Sequence, residues 1–193
     1  MTVSPFAIIA ALLVFKGYEA PRYQKHDALI EELVAEFNAN RAAAAASTKA
    51  QADGIAALDP SLVKAHMIQE SGGANAKSRA AWEIDPLQVN VPGDWNDYKR
   101  YVGLSKPRHA NDGNLRTNLR AGLRYLSRKG FGSSAQPAAN RPDAFFDGWP
   151  TAVKRYNGRA DPLADGTAYS DAYSSRIFYR LEHPLELTPI ELR

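Results

Sequence analysis

Apolar side chains recur with helical spacing in several stretches of the chain, and this pattern predicts a mainly α protein. The predicted helices cover residues 27–50, 60–71, 114–130, 150–157 and 167–182. The strongest signal lies between Asn114 and Gly130, where the apolar positions follow the series i, i+4, i+7, i+8 and i+11. Residues 72–113 and 131–148 carry the Gly, Pro and Asn typical of loops, and strand signals are limited to a short extended piece at 87–91.

The helix predicted at 60–71 has clear signals at both ends. Asp59 can cap its first amides and Pro60 suits its first position, while Gly72 and Gly73 stop it. Glu70 therefore lies near the helix C-terminus, where the partial negative charge disfavours a carboxylate and raises its pKa. A carboxyl group that keeps its proton near neutral pH is a candidate general acid.

The first 55 residues differ in pattern from the rest. The apolar run at 5–15 is shorter than the roughly 20 residues that cross a bilayer, so no stable membrane span is expected. No basic residue precedes the run, which argues against a signal peptide and favours a buried or partner-facing helix. We expect residues 1–55 to form an N-terminal helical arm, with a possible docking or delivery role, and residues 56–193 to form the main domain.

Composition narrows the chemistry. The chain has 193 residues, a net charge of +3 and no cysteine, so disulfides and thiol chemistry are excluded. The four histidines lack metal-ligand spacing, the basic residues are too sparse to predict nucleic-acid binding, and no metal or organic cofactor is implied. One basic ridge stands out on the helix 114–130, either as a solvated face or as a contact for an acidic partner; it consists of Arg116, Arg120, Arg124 and Arg128.

Four segments in a fixed order carry a family resemblance. They are Glu70-Ser71 at a helix end, the stretch from Asp85 to Asn90 with Leu87-Gln88, the helix motif Asn118-x-x-x-Gly122-x-x-Tyr125-Leu126, and Ala152-x-x-x-Tyr156-Asn157-Gly158. This order resembles the lysozyme-like superfamily of peptidoglycan glycosidases, and within it the soluble lytic transglycosylases and goose-type lysozymes. Asp85-Pro86 replaces the usual opening of the second motif, and Gly158 comes one position early.

The resemblance implies a lysozyme-like domain that cleaves the β-1,4 bond between MurNAc and GlcNAc, with Glu70 as the general acid. It also implies glycan-binding roles for a second group of residues, which are Ser71, Gln88, Asn90, Tyr125, Tyr156 and Asn157. A lytic transglycosylase and a muramidase remain alternatives, as do a glycan-binding or structural module without activity and a chitin-type glycosidase. Trp82 and Trp95 could stack on sugar rings or pack in the core.

Hydrolysis usually needs a second carboxylate, whereas a lytic transglycosylase uses the 6-hydroxyl of MurNAc itself. Asp85 is the first candidate for that carboxylate and Glu83 the second. The expected place of action is the bacterial periplasm or cell wall, reached through a specialised secretion system or by lysis. An effector delivered in this way would have an immunity or inhibitor protein as its partner.

Overall fold

The computed structural model describes residues 12–41, 53–131 and 145–188, and this part of the chain is mainly helical. Its seven α-helices are α1 (Asp27–Ala39), α2 (Pro60–Ser71), α3 (Ala76–Ile84), α4 (Asp97–Tyr101), α5 (Leu115–Lys129), α6 (Trp149–Asn157) and α7 (Tyr169–Glu182). Two 3₁₀ turns, Pro21–Tyr23 and Pro92–Asp94, complete the regular structure. Over the described ranges the only β pairing is an isolated bridge between Pro162 and Ala168.

Local capping explains why the predicted helices begin and end where they do. Asp59 Oδ1 accepts a hydrogen bond from the Ser61 amide at 2.7 Å, and Asn114 Oδ1 accepts one from the Thr117 amide at 3.0 Å. Gly158 ends α6 in the left-handed conformation, with φ +67°. The helices predicted at 60–71, 114–130, 150–157 and 167–182 are confirmed.

Three local predictions differ from the structure. The helix predicted at 27–50 ends at Ala39, and residues 42–52 lie outside the described ranges. The predicted loop at 72–113 contains α3 and α4, whose N-caps Asn75 and Asn96 accept hydrogen bonds from the Ser78 and Lys99 amides. The piece at 87–91 forms a turn followed by irregular backbone instead of a strand.

Helix α2 lies at the centre of the fold and packs against α1, α3 and α7. Every residue of α2 from Ser61 to Ile68 is buried, including Lys64, whose ammonium pairs with Asp27 of α1 at 2.8 Å. Helix α5 closes the other side through contacts with α1, α3 and α6. Helices α2 and α7 therefore belong to one packed core.

The N-terminal segment shares this core. Ile30, Leu33, Val34 and Phe37 of α1 belong to the same buried cluster as residues of α2, α5, α6 and α7. Leu12 and Phe15, at the end of the apolar run, also belong to it, while residues 1–11 lie outside the described ranges. Among the described helices, none is long and apolar enough to cross a bilayer.

The basic ridge of α5 contacts the chain's own residues. Arg116 and Arg120 pair with Glu32 and Glu36 of α1. The other two arginines lie over aromatic rings, Arg124 over Tyr101 and Arg128 over Tyr98 at 3.9 Å from the ring centroid. The acidic partner of the first half of the ridge is therefore α1 itself.

Candidate functional site

Glu70 is the penultimate residue of α2, and its side chain is 18% exposed. The pKa of this carboxyl is raised to about 7, mainly by burial and to a smaller extent by the neighbouring charge of Asp85. A hydrogen bond from Tyr173 acts in the opposite direction. Glu70 thus combines partial access to solvent with a pKa near neutrality, which are the two properties that a general acid requires.

Tyr173 and His66 form a hydrogen-bonded chain with Glu70. The Tyr173 hydroxyl donates to Glu70 Oε1, and His66 Nε2 lies 2.7 Å from the same hydroxyl. Tyr173 is 3% exposed and His66 fully buried. Burial lowers the pKa of His66 to about 3, so the imidazole is neutral at physiological pH.

Sequence reasoning missed both partners. Tyr173 lies on α7, far from Glu70 along the chain, and only the packing of α7 against α2 brings it to the carboxyl. His66 did carry a local signal, because it precedes Glu70 by four residues and so lies on the same face of α2. Neither Tyr173 nor His66 belongs to the motif segments that contain Glu70 and Tyr156.

Tyr156 connects the fourth sequence segment to the second. Its hydroxyl donates to the Leu87 carbonyl at 2.8 Å. Its ring meets the His66 ring edge-on, with centroids 4.6 Å apart, and the Tyr125 ring at 5.6 Å. Burial raises the pKa of this hydroxyl well above its ordinary value, so Tyr156 stays neutral. Its one hydroxyl proton is used by the Leu87 carbonyl, so Tyr156 holds the turn at 85–90 in place.

Asp85 is the organising residue of the turn at 85–90. It is fully buried; its Oδ1 accepts from the Val89 amide at 3.1 Å and its Oδ2 from the Asn90 amide at 2.8 Å. Gln88 adopts a positive φ of 51°, and its side-chain amide donates to the Asp85 carbonyl at 2.8 Å. Burial raises the pKa of Asp85, with the two amides acting in the opposite direction. Both carboxylate oxygens are thus used by the backbone of the turn.

Two neighbouring segments hold this turn in place. Ser71 Oγ donates to the Pro86 carbonyl at 2.9 Å, and Asn118 Nδ2 donates to the Ile84 carbonyl at 2.9 Å. Gly122 of α5 allows the close approach, because a Cβ there would lie 2.6 Å from Leu87 Cδ1. The four segments of the predicted motif therefore meet at Glu70 and the turn.

Asn90 also belongs to this contact region. It is 4% exposed, and its side-chain amide donates to the Asp112 carbonyl at 3.3 Å. Ser71, at 2% exposure, is buried as well. The Asn90 side-chain nitrogen and the Ser71 hydroxyl are thus both bonded to backbone carbonyls.

For the other predicted residues, the contacts in the described ranges involve groups other than Glu70. Glu83 is half exposed and pairs with Lys25. Asn157 Oδ1 accepts from the Arg159 amide at 3.2 Å, just beyond α6. Tyr125 packs between Tyr98 and Tyr156 in a second, smaller cluster.

The two tryptophans near the turn differ in their environment. Trp82 is buried in the core and donates to the Arg22 carbonyl at 2.9 Å, so it is a packing residue. Trp95 is half buried against the cluster that contains Tyr125. Within the described ranges, no three His, Asp or Glu side chains are grouped closely enough to hold a metal ion.

Comparisons of this chain with protein-family models, with curated proteins and with solved structures find no match. The likeness to lysozyme-like glycosidases therefore depends on the four sequence segments and stays a prediction. The geometry around Glu70 supplies an independent basis for a functional proposal.

Proposed function

We propose that this protein is a peptidoglycan glycosidase in which Glu70 is the general acid. The observation that carries the proposal is the buried Glu70 carboxyl, whose pKa is raised to about 7. Such a group is protonated often enough at neutral pH to donate to a leaving glycosidic oxygen, and is ionised often enough to accept a proton afterwards. The predicted four-segment motif supports peptidoglycan as the polymer.

We further propose that the reaction is that of a lytic transglycosylase. Hydrolysis by two carboxylates needs a second group that is free to act on water or on the sugar. Asp85 has both oxygens bound to backbone amides, and Glu83 faces Lys25. Neither carboxylate is available to Glu70 as a partner, and this favours chemistry with one carboxyl.

In that reaction Glu70 first donates its proton to the glycosidic oxygen, and the bond from this oxygen to the anomeric carbon of MurNAc breaks. The 6-hydroxyl of the same MurNAc then bonds to that carbon and returns its proton to the Glu70 carboxylate. The products are a 1,6-anhydro end and a GlcNAc hydroxyl, and no water is consumed. Holding the 6-hydroxyl near the reacting carbon replaces an activated water molecule.

The other predicted residues then fall into two groups. Ser71, Asn90 and Asp85 hold the turn, because their side chains are buried and bonded to backbone. Gln88 and Asn157 each make one bond to backbone as well, but they are half buried, and we propose that they contact the glycan.

Digestion of purified peptidoglycan tests the proposal. We expect the wild type to release muropeptides with 1,6-anhydro ends. In mass spectrometry these products should be about 18 Da lighter than hydrolysed ones, because no water molecule has been added. Glu70→Gln should abolish release, and Glu83→Gln, at the exposed carboxyl, should leave it within about twofold of the wild type. If the released muropeptides carry reducing ends instead, the reaction is hydrolysis and the protein is a muramidase.

The alternatives predict different results in the same experiment. A glycan-binding module would sediment with peptidoglycan and release nothing, in the wild type as in Glu70→Gln. A chitin-type glycosidase would cleave chitin oligomers faster than peptidoglycan. Either result would contradict the proposal.

A further inference from the structure

Two successive hydrogen bonds join His66, Tyr173 and Glu70, and the buried geometry determines which atom donates in each of them. Tyr173 has one hydroxyl proton, and that proton is given to Glu70 Oε1. His66 Nε2 lies 2.7 Å from the Tyr173 oxygen, so the contact is a hydrogen bond only if Nε2 carries a proton. His66 is neutral and has a single N–H, which leaves Nδ1 as a bare acceptor.

The environment of Nδ1 supports this tautomer. Nδ1 is buried, and it makes no hydrogen bond to any described residue. In the opposite tautomer, this position would be a buried N–H without an acceptor, which is rarer and more costly than a lone pair without a donor. That tautomer would also draw the Tyr173 proton towards His66, and an ionised Glu70 would then have its Oε1 facing an oxygen without a hydrogen.

We propose that His66 is a positioning residue that orients the Tyr173 hydroxyl towards Glu70 Oε1 and thereby assigns the acid proton to Oε2. In this arrangement Oε1 is an acceptor in both protonation states of Glu70, so the proton that leaves and returns is always on Oε2. His66 and Tyr173 keep their own protons throughout. The catalytic part of this inference depends on the proposed function. The orientation of the hydrogen bonds from His66 through Tyr173 to Glu70 does not depend on it.

The groups that face Glu70 come from four places. They are His66 on its own helix, Tyr156 on α6, Tyr173 on α7 and Asp85 in the turn after α3. His66, Tyr156 and Tyr173 are neutral at neutral pH, because burial lowers the pKa of His66 and raises the pKa of both tyrosines. Asp85 is bonded to its own turn. Within this set, Tyr173 donates a hydrogen bond to Glu70 and His66 is hydrogen-bonded to Tyr173.

Two substitutions of His66 form a matched pair. In His66→Gln the amide nitrogen stands three bonds from Cβ, as Nε2 does in histidine, so a donor is retained. In His66→Met a methyl group takes this place, so the volume is roughly kept and the donor is lost. Without the donor, the bond from Tyr173 to the carboxylate weakens, because neighbouring hydrogen bonds polarise one another.

The test combines three measurements. Long-range ¹H–¹⁵N NMR of the wild type should show His66 as the neutral Nε2–H tautomer between pH 5 and 8. Carboxyl ¹³C NMR should show the pKa of Glu70 rising by roughly half a pH unit in His66→Met and staying near the wild-type value in His66→Gln. On peptidoglycan, His66→Met should lose about tenfold in kcat with little change in KM, and His66→Gln should restore most of it.

Each contrary result overturns the proposal. An Nδ1–H tautomer would reverse the direction of these hydrogen bonds, and a fall or no change in the pKa of Glu70 in His66→Met would show that His66 does not orient Tyr173. Equal losses of kcat in both variants would indicate a packing role alone. If the tautomer and the pKa shift are as expected but no variant cleaves peptidoglycan, the orientation stands and the proposed function fails.

Discussion

At the scale of single residues, the burial of Glu70 lowers the stability of the folded protein at neutral pH. In the unfolded chain this carboxyl ionises near its ordinary pKa of 4.5, whereas in the folded protein it ionises near 7. Below the ordinary value both states hold the proton and there is no penalty. As the pH rises from the unfolded pKa of 4.5 to the folded pKa of about 7, a penalty grows to about 3 kcal/mol, and above the folded pKa it stays constant.

Glu70→Gln should therefore stabilise the protein in a pH-dependent way. The amide cannot ionise and still accepts the hydrogen bond of Tyr173, so the free energy of unfolding should rise by up to about 3 kcal/mol at pH 8 and change little at pH 4. Denaturant unfolding at both pH values measures this. Glu83→Gln, at an exposed carboxyl, is the matched control, and a gain of equal size at pH 4 would contradict the explanation.

Tyr173→Phe should raise the pKa of Glu70 further. The hydroxyl donates to the carboxylate and holds its pKa down, so its removal favours the protonated form. Carboxyl ¹³C NMR should give a pKa above the wild-type value of about 7, and the basic limb of the pH profile of kcat/KM should move the same way.

Tyr179→Phe is the matched control for that prediction. It removes a hydroxyl from the same helix, which donates to the exposed Glu186 at 2.8 Å. The pKa of Glu70 should be unchanged in this variant. An unchanged pKa in Tyr173→Phe as well would mean that its bond to Glu70 is absent in solution.

Glu70 could be singled out from the sequence because its signal is local: a helix, a helix end and a carboxyl. The direction of its pKa shift also followed from local reasoning, although burial is the largest cause in the structure. Tyr173 could not be assigned to the site in this way, because a tyrosine on the apolar face of α7 looks like any core residue until its neighbours are known.

At the scale of elements, the helices with local signals in the sequence were predicted, and the features that depend on tertiary contacts were missed. Helices α2, α5 and α6 carry capping residues next to strong apolar spacing, so their positions followed from the sequence. Helix α3 has a capping residue, Asn75, but buries only Ala81 and Trp82, and its weak apolar stripe was hidden among loop residues. The turn at 85–90 depends on buried contacts to Asp85, which no local pattern specifies.

Asp85→Ala should destabilise the protein by roughly 2–5 kcal/mol, because it leaves the buried amides of Val89 and Asn90 without acceptors. Asp85→Asn keeps one acceptor and should lose about half as much. Urea unfolding measures both, and Asp97→Ala, at an almost fully exposed carboxyl, is the control. If Asp85 were instead the second catalytic carboxylate, Asp85→Asn would abolish turnover without a comparable loss of stability.

At the scale of the whole molecule, the described part of the N-terminal segment is a layer of the core. The sequence set residues 1–55 apart because of their changed composition, but composition does not reveal which face of α1 is covered. Leu33 and Phe37 pack in the cluster that also contains residues of α2 and α7, and Lys64 of α2 is paired with Asp27 of α1. Removing α1 would expose this cluster and leave the buried Lys64 ammonium without its carboxylate.

Leu33→Ala should therefore destabilise the entire fold. Leu33 is 2% exposed, and its truncation should lower the free energy of unfolding by roughly 2–5 kcal/mol. Because α1 and α2 share one core, the loss should appear in a single cooperative transition, followed by circular dichroism and by the fluorescence of Trp82 and Trp149.

Glu32→Gln, on the exposed side of α1, is the matched control. It breaks one surface ion pair with Arg116 and should change the stability by about 1 kcal/mol at most. If α1 were an independent arm, Leu33→Ala would add an early, partial transition and leave the unfolding of α2, α5 and α7, and with it the geometry of Glu70, unchanged.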